Sequence, residues 1–115
     1  MTIRLKRVYD PPAKADGLRI LVERLWPRGM TKEAAAVDRW LKEVAPSPAL
    51  RQWYGHDTAK WPEFQRRYRA ELAANADEVE KLRAACAKGA VTFVYAAMDE
   101  TRNSAAVLKA YLEAL

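Results

Sequence analysis

The chain has 115 residues, 50% hydrophobic and 30% charged, which is the balance of one soluble globular domain. No apolar run reaches the roughly 18 residues of a membrane span, and the first residues lack the apolar core of a signal peptide. One cysteine, Cys86, excludes an internal disulfide, and one histidine leaves too few ligands for a structural zinc site. We therefore expect a cytoplasmic protein with no metal site.

The net charge of +5 is concentrated near the N-terminus. Residues 1–30 carry seven Lys or Arg against three Asp or Glu, whereas the remaining residues carry 13 against 12. A basic excess in one segment favours an anionic partner. A pI of about 9.5 is also compatible with nucleic acid, although no dense basic tract supports that partner strongly.

Two strands are predicted at the start of the chain. Residues 3–9 form the first, which the Asp-Pro-Pro sequence ends, and residues 11–17 form a loop too short for a crossover helix. The pattern does not decide whether the two strands pair as a hairpin or lie apart in the sheet.

The second strand runs through residues 20–26 and stops at Pro27, which lacks a backbone donor, and Gly29 permits a sharp turn. Two arginines, Arg24 and Arg28, flank Trp26 at this exit. A fixed backbone, cations and an aromatic plane describe a place for an anionic or planar ligand. The alternative is that Trp26 fills the core and the arginines are solvated.

Residues 31–44 allow two interpretations. Thr31 is a suitable helix cap, and the apolar spacing up to Val44 slightly favours one continuous helix. The alternation in residues 38–44 also fits a short strand. A short helix follows over residues 47–54.

Two amphipathic helices are predicted next. From Lys60 the apolar positions recur every three or four residues, and Asn75 starts a second helix that ends at Gly89. The expected buried residues are Trp61, Phe64, Tyr68 and Leu72 in the first helix and Val79, Leu82 and Cys86 in the second. The nearby Arg66, Arg67 and Arg69 fall mostly off the apolar stripe and are interpreted as a solvated face.

Residues 90–97 form the clearest strand, an apolar run typical of a central strand covered on both faces. The last helix is expected to bury Val107, Leu108, Tyr111, Leu112 and Leu115. Strands interleaved with helices predict an α/β fold, a single layered domain with a small, mainly parallel sheet flanked by helices.

In parallel sheets ligands collect beyond the carboxyl ends of the strands, which selects residues 26–29 and 98–104. The second loop enters a helix, whose free N–H groups favour an anion. Its polar residues, Asp99, Thr101, Asn103 and Ser104, are each also plausible helix caps.

Candidates for proton transfer are few. His56 and Asp57 are the single histidine–carboxylate neighbourhood, and Asp99 is the other catalytic candidate. Cys86 has the profile of an inert core thiol. No glycine-rich phosphate loop, nucleophile elbow or metal-binding histidine pair occurs, so no cofactor is predicted. Trp53 and Trp61 bracket the His56 loop and could flank a planar substrate.

Together these motifs resemble the YeaO-like family of small bacterial proteins, part of the superfamily of domain of unknown function 488. The resemblance runs from about residue 3 to the C-terminus. It is carried by Arg7-Val8-Tyr9-Asp10-Pro11-Pro12, Asp16-Gly17, Leu25-Trp26-Pro27-Arg28-Gly29, Ala45-Pro46-Ser47, Leu50-Arg51, His56-Asp57 and Tyr95-Ala96-Ala97. It implies an α/β sheet in which residues 38–44 form a strand after a brief helix, and it implies no particular reaction.

The chain departs from the family pattern in its last exit loop. Longer relatives commonly carry a Cys-His-Arg motif where this chain has Thr101-Arg102-Asn103. YeaO-like members often have lysine in place of Met98 and histidine in place of Arg102. These departures weaken acid–base chemistry in this loop but leave anion binding intact, because an arginine is permanently charged.

The leading hypothesis is an anion-accepting pocket between the two exit loops, binding or acting on a nucleotide- or phosphate-like ligand. Its ligand-binding residues are Arg24, Trp26, Arg28, Asp99, Arg102 and Asn103, with His56 and Asp57 at the rim. The alternative is a non-catalytic nucleic-acid-binding module that uses the basic N-terminal third and Arg66, Arg67 and Arg69. A third possibility, an oligomeric interaction protein, requires a large exposed apolar face.

Overall fold

The computed structural model, which describes residues 1–115, contains a four-stranded parallel sheet flanked by helices. The strands are β1 (Ile3–Arg7), β2 (Leu18–Leu21), β3 (Arg39–Trp40) and β4 (Val91–Tyr95), in the spatial order β1-β4-β2-β3. The helices are α1 (Lys32–Ala35), α2 (Pro48–Tyr54), α3 (Trp61–Ala73), α4 (Ala76–Cys86) and α5 (Ser104–Glu113). The predicted α/β fold is confirmed, and β1 and β2 are not a hairpin because β4 lies between them.

Strand β4 is the centre of the sheet, as its apolar sequence predicted. All five of its residues are buried, and it pairs in parallel with β1 on one side and with β2 on the other. Its side chains alternate between the two faces of the sheet. Phe93 and Tyr95 join the main core, and Val94 joins a smaller cluster on the opposite face.

Helices α2 to α5 form the main core with one face of the sheet. The predicted apolar stripes of α3 and α4 are confirmed, with Phe64, Tyr68 and Leu72 buried from α3 and Val79, Leu82 and Cys86 from α4, although Trp61 is only partly buried against the same core. Helix α5 buries Val107, Leu108 and Leu112, whereas Tyr111, also predicted to be buried, is only partly buried. Leu115 is 61% exposed, because α5 ends at Glu113, so its predicted burial was wrong. None of these helices combines the length and the apolarity needed to cross a bilayer.

The opposite face of the sheet carries a buried polar network. The guanidinium of Arg19, 4% exposed, donates to Asp16 at 2.6 Å and to the carbonyl oxygens of Ala35 and Ala36 at 2.8 and 3.1 Å. Lys6 donates to the same carboxylate at 3.2 Å. The network joins β1, the turn before β2, β2 itself and the end of α1.

Two segments differ from the pattern-based predictions. Strand β2 ends at Leu21, so the strand predicted to continue to Trp26 was wrong, and the following residues form the exit loop. The continuous helix through residue 44 was also wrong. Helix α1 stops because Ala36 adopts a left-handed φ of 49°, and β3 follows. The brief helix and following strand implied by the family resemblance are therefore confirmed in part: the strand covers only Arg39–Trp40, and Lys42–Val44 form a short 3-10 helix. Helix α4 ends at Cys86 rather than at Gly89.

Candidate functional site

A cleft of about 460 Å³ opens at the carboxyl ends of β2 and β4. The connection after β2 leads to β3 at one edge of the sheet, whereas the connection after β4 returns to α5, which packs on β4 and β1. Exit loops that diverge in this way leave a crevice between two neighbouring parallel strands. The two loops selected from the sequence both line this crevice. Their lining residues are Arg24, Trp26, Arg28, Arg102, Asn103 and Ser104.

The cleft is lined by an excess of positive charge. Its cationic residues are Arg24, Arg28, Arg51 and Arg102, and its one carboxylate is Glu23. Arg102 lies 3.8 Å from Asp99, and Arg24 donates to the carbonyl of Ala45 at 3.2 Å. The guanidinium groups of Arg28 and Arg51 form no hydrogen bond or ion pair within the protein, since the one bond to Arg28 is from the Tyr9 hydroxyl to its backbone carbonyl, and both groups are therefore available to a ligand.

Glu23 lies between the two strand exits and was not among the predicted site residues. Its Oε1 accepts a hydrogen bond of 2.5 Å from the backbone N–H of Ala96, directly after β4. Burial raises the pKa of the Glu23 carboxyl, and this hydrogen bond and the nearby guanidinium of Arg51 oppose that rise. The sequence carried one signal, an acidic residue interrupting an apolar run.

Replacing Glu23 with glutamine is expected to stabilise the protein at pH 7. The raised pKa means that the folded state binds the proton more tightly than the unfolded chain, so ionisation of Glu23 opposes folding as the pH rises. Glutamine keeps an oxygen for the Ala96 N–H without the charge. Denaturant unfolding of E23Q should show a higher midpoint than wild type at pH 7. The gap should close below about pH 4, where glutamate is protonated in both states. A gap that persists unchanged in acid would contradict this explanation.

Aromatic side chains form much of the remaining wall. Trp26 combines the two interpretations of its role: it lines the cleft and also packs against the smaller cluster, with its Nε1 donating to the carbonyl of Met30 at 2.8 Å. Tyr54 and Tyr95 also line the cleft, and neither hydroxyl has a hydrogen-bond partner within the protein. Burial raises the pKa of both tyrosines, so they remain neutral donors at physiological pH.

The loop before α5 contributes less than predicted. Asp99 does not line the cleft; its Oδ1 accepts hydrogen bonds from the backbone N–H groups of Thr101 and Arg102 at 3.0 and 2.9 Å. These bonds lower the pKa of the Asp99 carboxyl. Asn103 does line the cleft, but its Oδ1 caps α5 at the N–H of Ala106 and its Nδ2 donates to the carbonyl of Asp99. The interpretation as a helix cap is therefore confirmed for Asn103, whereas Asp99 binds backbone N–H groups of the loop before α5.

His56 lines the cleft, whereas its neighbour Asp57 does not. The Asp57 carboxylate accepts from the N–H of Ala59 at 3.0 Å, so it caps the short turn before α3. Trp53 lies outside the cleft with Arg67 stacked on it at 4.0 Å, and Trp61 stacks on Phe64 with 5.5 Å between ring centroids. The structure brings neither tryptophan to the predicted position beside a planar substrate.

The basic residues outside the cleft are largely engaged. Arg66 and Arg67 both form ion pairs with Glu63, at 2.6 and 2.8 Å, on an exposed face of α3. In the N-terminal third, Lys6 and Arg19 bind Asp16, and Arg7 donates to the carbonyl of Ala97 at 3.0 Å. No cluster of three or more His, Cys, Asp or Glu side chains forms a candidate metal site.

Comparison with known proteins places these features in a family. Residues 2–115 match a family model described as "Inactive DUF488-N3 subclade". The chain is 43% identical over 115 residues to uncharacterized protein YeaO of Escherichia coli, covering 100% of both chains. Uncharacterized proteins of Mycobacterium tuberculosis and Mycobacterium bovis are 42% identical over 106 residues, which are 92% of this chain and 89% of theirs. No solved structure matches the chain.

Proposed function

Since the chain is a YeaO-like member of the DUF488 family, in the subclade described as inactive, we propose that it binds a small phosphate- or nucleotide-like anion without transforming it. The observation that carries this proposal is a pair of guanidinium groups without a partner in the protein. Arg28, from the loop after β2, and Arg51, from α2, both line the cleft. Arginine presents a planar fork of donors that matches phosphate and carboxylate oxygens.

The size of the cleft supports a small ligand. Its volume of about 460 Å³ falls within the range of roughly 300–1,000 Å³ for pockets that hold small molecules. The aromatic rings of Trp26, Tyr54 and Tyr95 supply apolar and stacking surface beside the cations. A ligand with an anionic group and a ring would contact both kinds of wall.

The lining offers little for covalent chemistry, which favours binding over turnover. His56 makes no hydrogen bond with a carboxylate that would orient it, because Asp57 is used as a cap. The single thiol, Cys86, is buried in the main core, and burial raises its pKa to about 11. Nucleophilic catalysis requires an activated nucleophile next to a base, and no such pair lines this cleft.

Replacing Arg51 or Arg28 with alanine is expected to weaken binding about 10- to 100-fold, the effect of losing a hydrogen bond between charged groups. Isothermal titration with ADP, ribose 5-phosphate and inorganic pyrophosphate measures this. Arg69→Ala is the matched control, because Arg69 is exposed on α3, outside the cleft and without an ion pair. Failure of all three ligands to bind, or equal binding by R51A, R28A and wild type, would overturn the proposal.

The nucleic-acid alternative stays a prediction, and the salt dependence of oligonucleotide binding by wild type and R51A tests it. A duplex DNA binder loses affinity with salt at a slope near −0.9 per phosphate contacted, on logarithmic axes. A pocket that holds one small anion responds far less to salt. A steep dependence for an oligonucleotide that is unaffected by R51A would favour the alternative.

A further inference from the structure

Anion binding alone leaves Glu23 unexplained. Its carboxylate is in the same cleft as four arginines, where it repels any anion that they attract. A site shaped only to hold phosphate would gain affinity by losing this charge. The burial that raises the pKa of Glu23 also makes the residue costly to keep.

The geometry leaves one edge of this carboxylate free. Ala96 N–H is the single hydrogen-bond donor that the protein directs at the side-chain carboxylate of Glu23, and it donates to Oε1. None of the cleft arginines forms an ion pair with Glu23 within 4.0 Å. Oε2 is therefore an acceptor without a protein partner, fixed in place because the other oxygen is held by the backbone directly after β4.

We propose that Glu23 determines specificity: the cleft takes phosphorylated sugars, free or within a nucleotide, whose hydroxyl groups donate to Glu23 while the arginines hold the phosphate. This inference rests on the proposed function and names its ligand class. An ionised carboxylate only accepts hydrogen bonds, so it selects ligands with donors beside the anionic group. The hydroxyls of Tyr54 and Tyr95, which have no partner within the protein, are available to further sugar oxygens.

Ligands without hydroxyl groups are disfavoured by the same residue. An alkyl phosphate would bury the free Glu23 oxygen without a donor, and sites that bind a hydroxyl strongly reject analogues that lack it. Pyrophosphate also lacks the hydroxyl groups of a sugar, and its negative charge would be repelled by the Glu23 carboxylate.

The test compares ribose 5-phosphate with n-pentyl phosphate, which has the same charge and a five-carbon chain without ring or hydroxyls. Wild type is expected to bind ribose 5-phosphate at least about 10-fold more tightly, since a hydrogen bond to a charged group supports a preference of this size. In Glu23→Gln the amide oxygen still accepts from Ala96, but the free acceptor and the charge are lost. The preference should fall below about threefold, chiefly because pentyl phosphate binds more tightly. Glu80→Gln, an exposed change on α4, should keep the wild-type ratio.

Equal binding of the two phosphates by wild type, or an unchanged preference in E23Q, would overturn the role of Glu23. If R51A still weakened the binding of both phosphates in that case, the anion site would stand without the preference for hydroxyl-bearing ligands. If neither these two phosphates nor ADP and pyrophosphate bound wild type, the proposed function and this inference would both be overturned.

Discussion

Replacing Asp16 with alanine should lower the free energy of unfolding by about 3–5 kcal/mol, because it leaves a buried guanidinium without its counter-charge. Asp16 is 5% exposed, and its carboxylate accepts hydrogen bonds from Arg19, from Lys6 and from the backbone N–H of Ala13. The variant keeps Arg19 in place with one of its donors unsatisfied. Denaturant unfolding at pH 7 measures the loss.

The matched control is Asp77→Ala, an exposed carboxylate in the first turn of α4, for which a loss below about 1 kcal/mol is expected. Acid provides a second check. Burial alone would raise the pKa of the Asp16 carboxyl, but the hydrogen bonds from Ala13, Arg19 and Lys6 bring it below its usual value. Its stabilisation is therefore complete above about pH 4 and is lost as the pH falls through the lower folded-state pKa. Wild type and D16A should converge in acid; equal losses in D16A and D77A at pH 7 would refute the role of the network.

Gly17→Ala is expected to cost about 3–5 kcal/mol, from backbone strain and overpacking together. Gly17 has φ +65°, and an added Cβ would lie 2.2 Å from the carbonyl oxygen of Ala90. That oxygen accepts the hydrogen bond from Leu18 N–H that begins the pairing of β2 with β4, at 3.0 Å. The backbone cannot move away without disturbing the sheet. Chemical denaturation measures the cost.

Gly29→Ala separates the two causes. Gly29 also has a positive φ, of +78°, but no atom lies within 4 Å of an added Cβ. Only the left-handed conformation should cost energy there, about 1–2 kcal/mol. If the two alanine variants lost equal stability, the close approach of Gly17 to Ala90 would not matter.

Periodic patterns predicted the fold where packing alone decides the structure. The apolar stripe of α3 and the continuous apolar run of β4 each match one environment, a helix with one buried face and a strand buried on both. Residues 37–44 could not be assigned in this way, since distant contacts determine their structure. The Asp38 carboxylate accepts from the N–H of Arg19 at 2.8 Å, and Trp40 Nε1 donates to the carbonyl of Glu23 at 2.7 Å.

The candidate site was predictable in its loops but not in its walls. The rule for parallel sheets located the exits of β2 and β4, and with them Arg28 and Arg102. Arg51 and Tyr54 line the cleft because α2 borders it, and local spacing contains no information about where α2 packs. Glu23 was not predicted as a site residue because it lies inside the predicted second strand, over residues 20–26. With β2 ending at Leu21, this residue becomes the second position of the exit loop.

The position of β4 also governs when the sheet can assemble during synthesis. Both β1 and β2 pair with β4 and not with each other, so each leaves the ribosome before the strand with which it pairs has been synthesised. In a nascent chain stopped before Val91, the edges of β1 and β2 that pair with β4 would be unpaired, and unpaired strand edges are prone to associate with other chains. Helices α3 and α4 can form earlier from local contacts, whereas the cleft, bounded by the exit of β4, is completed last.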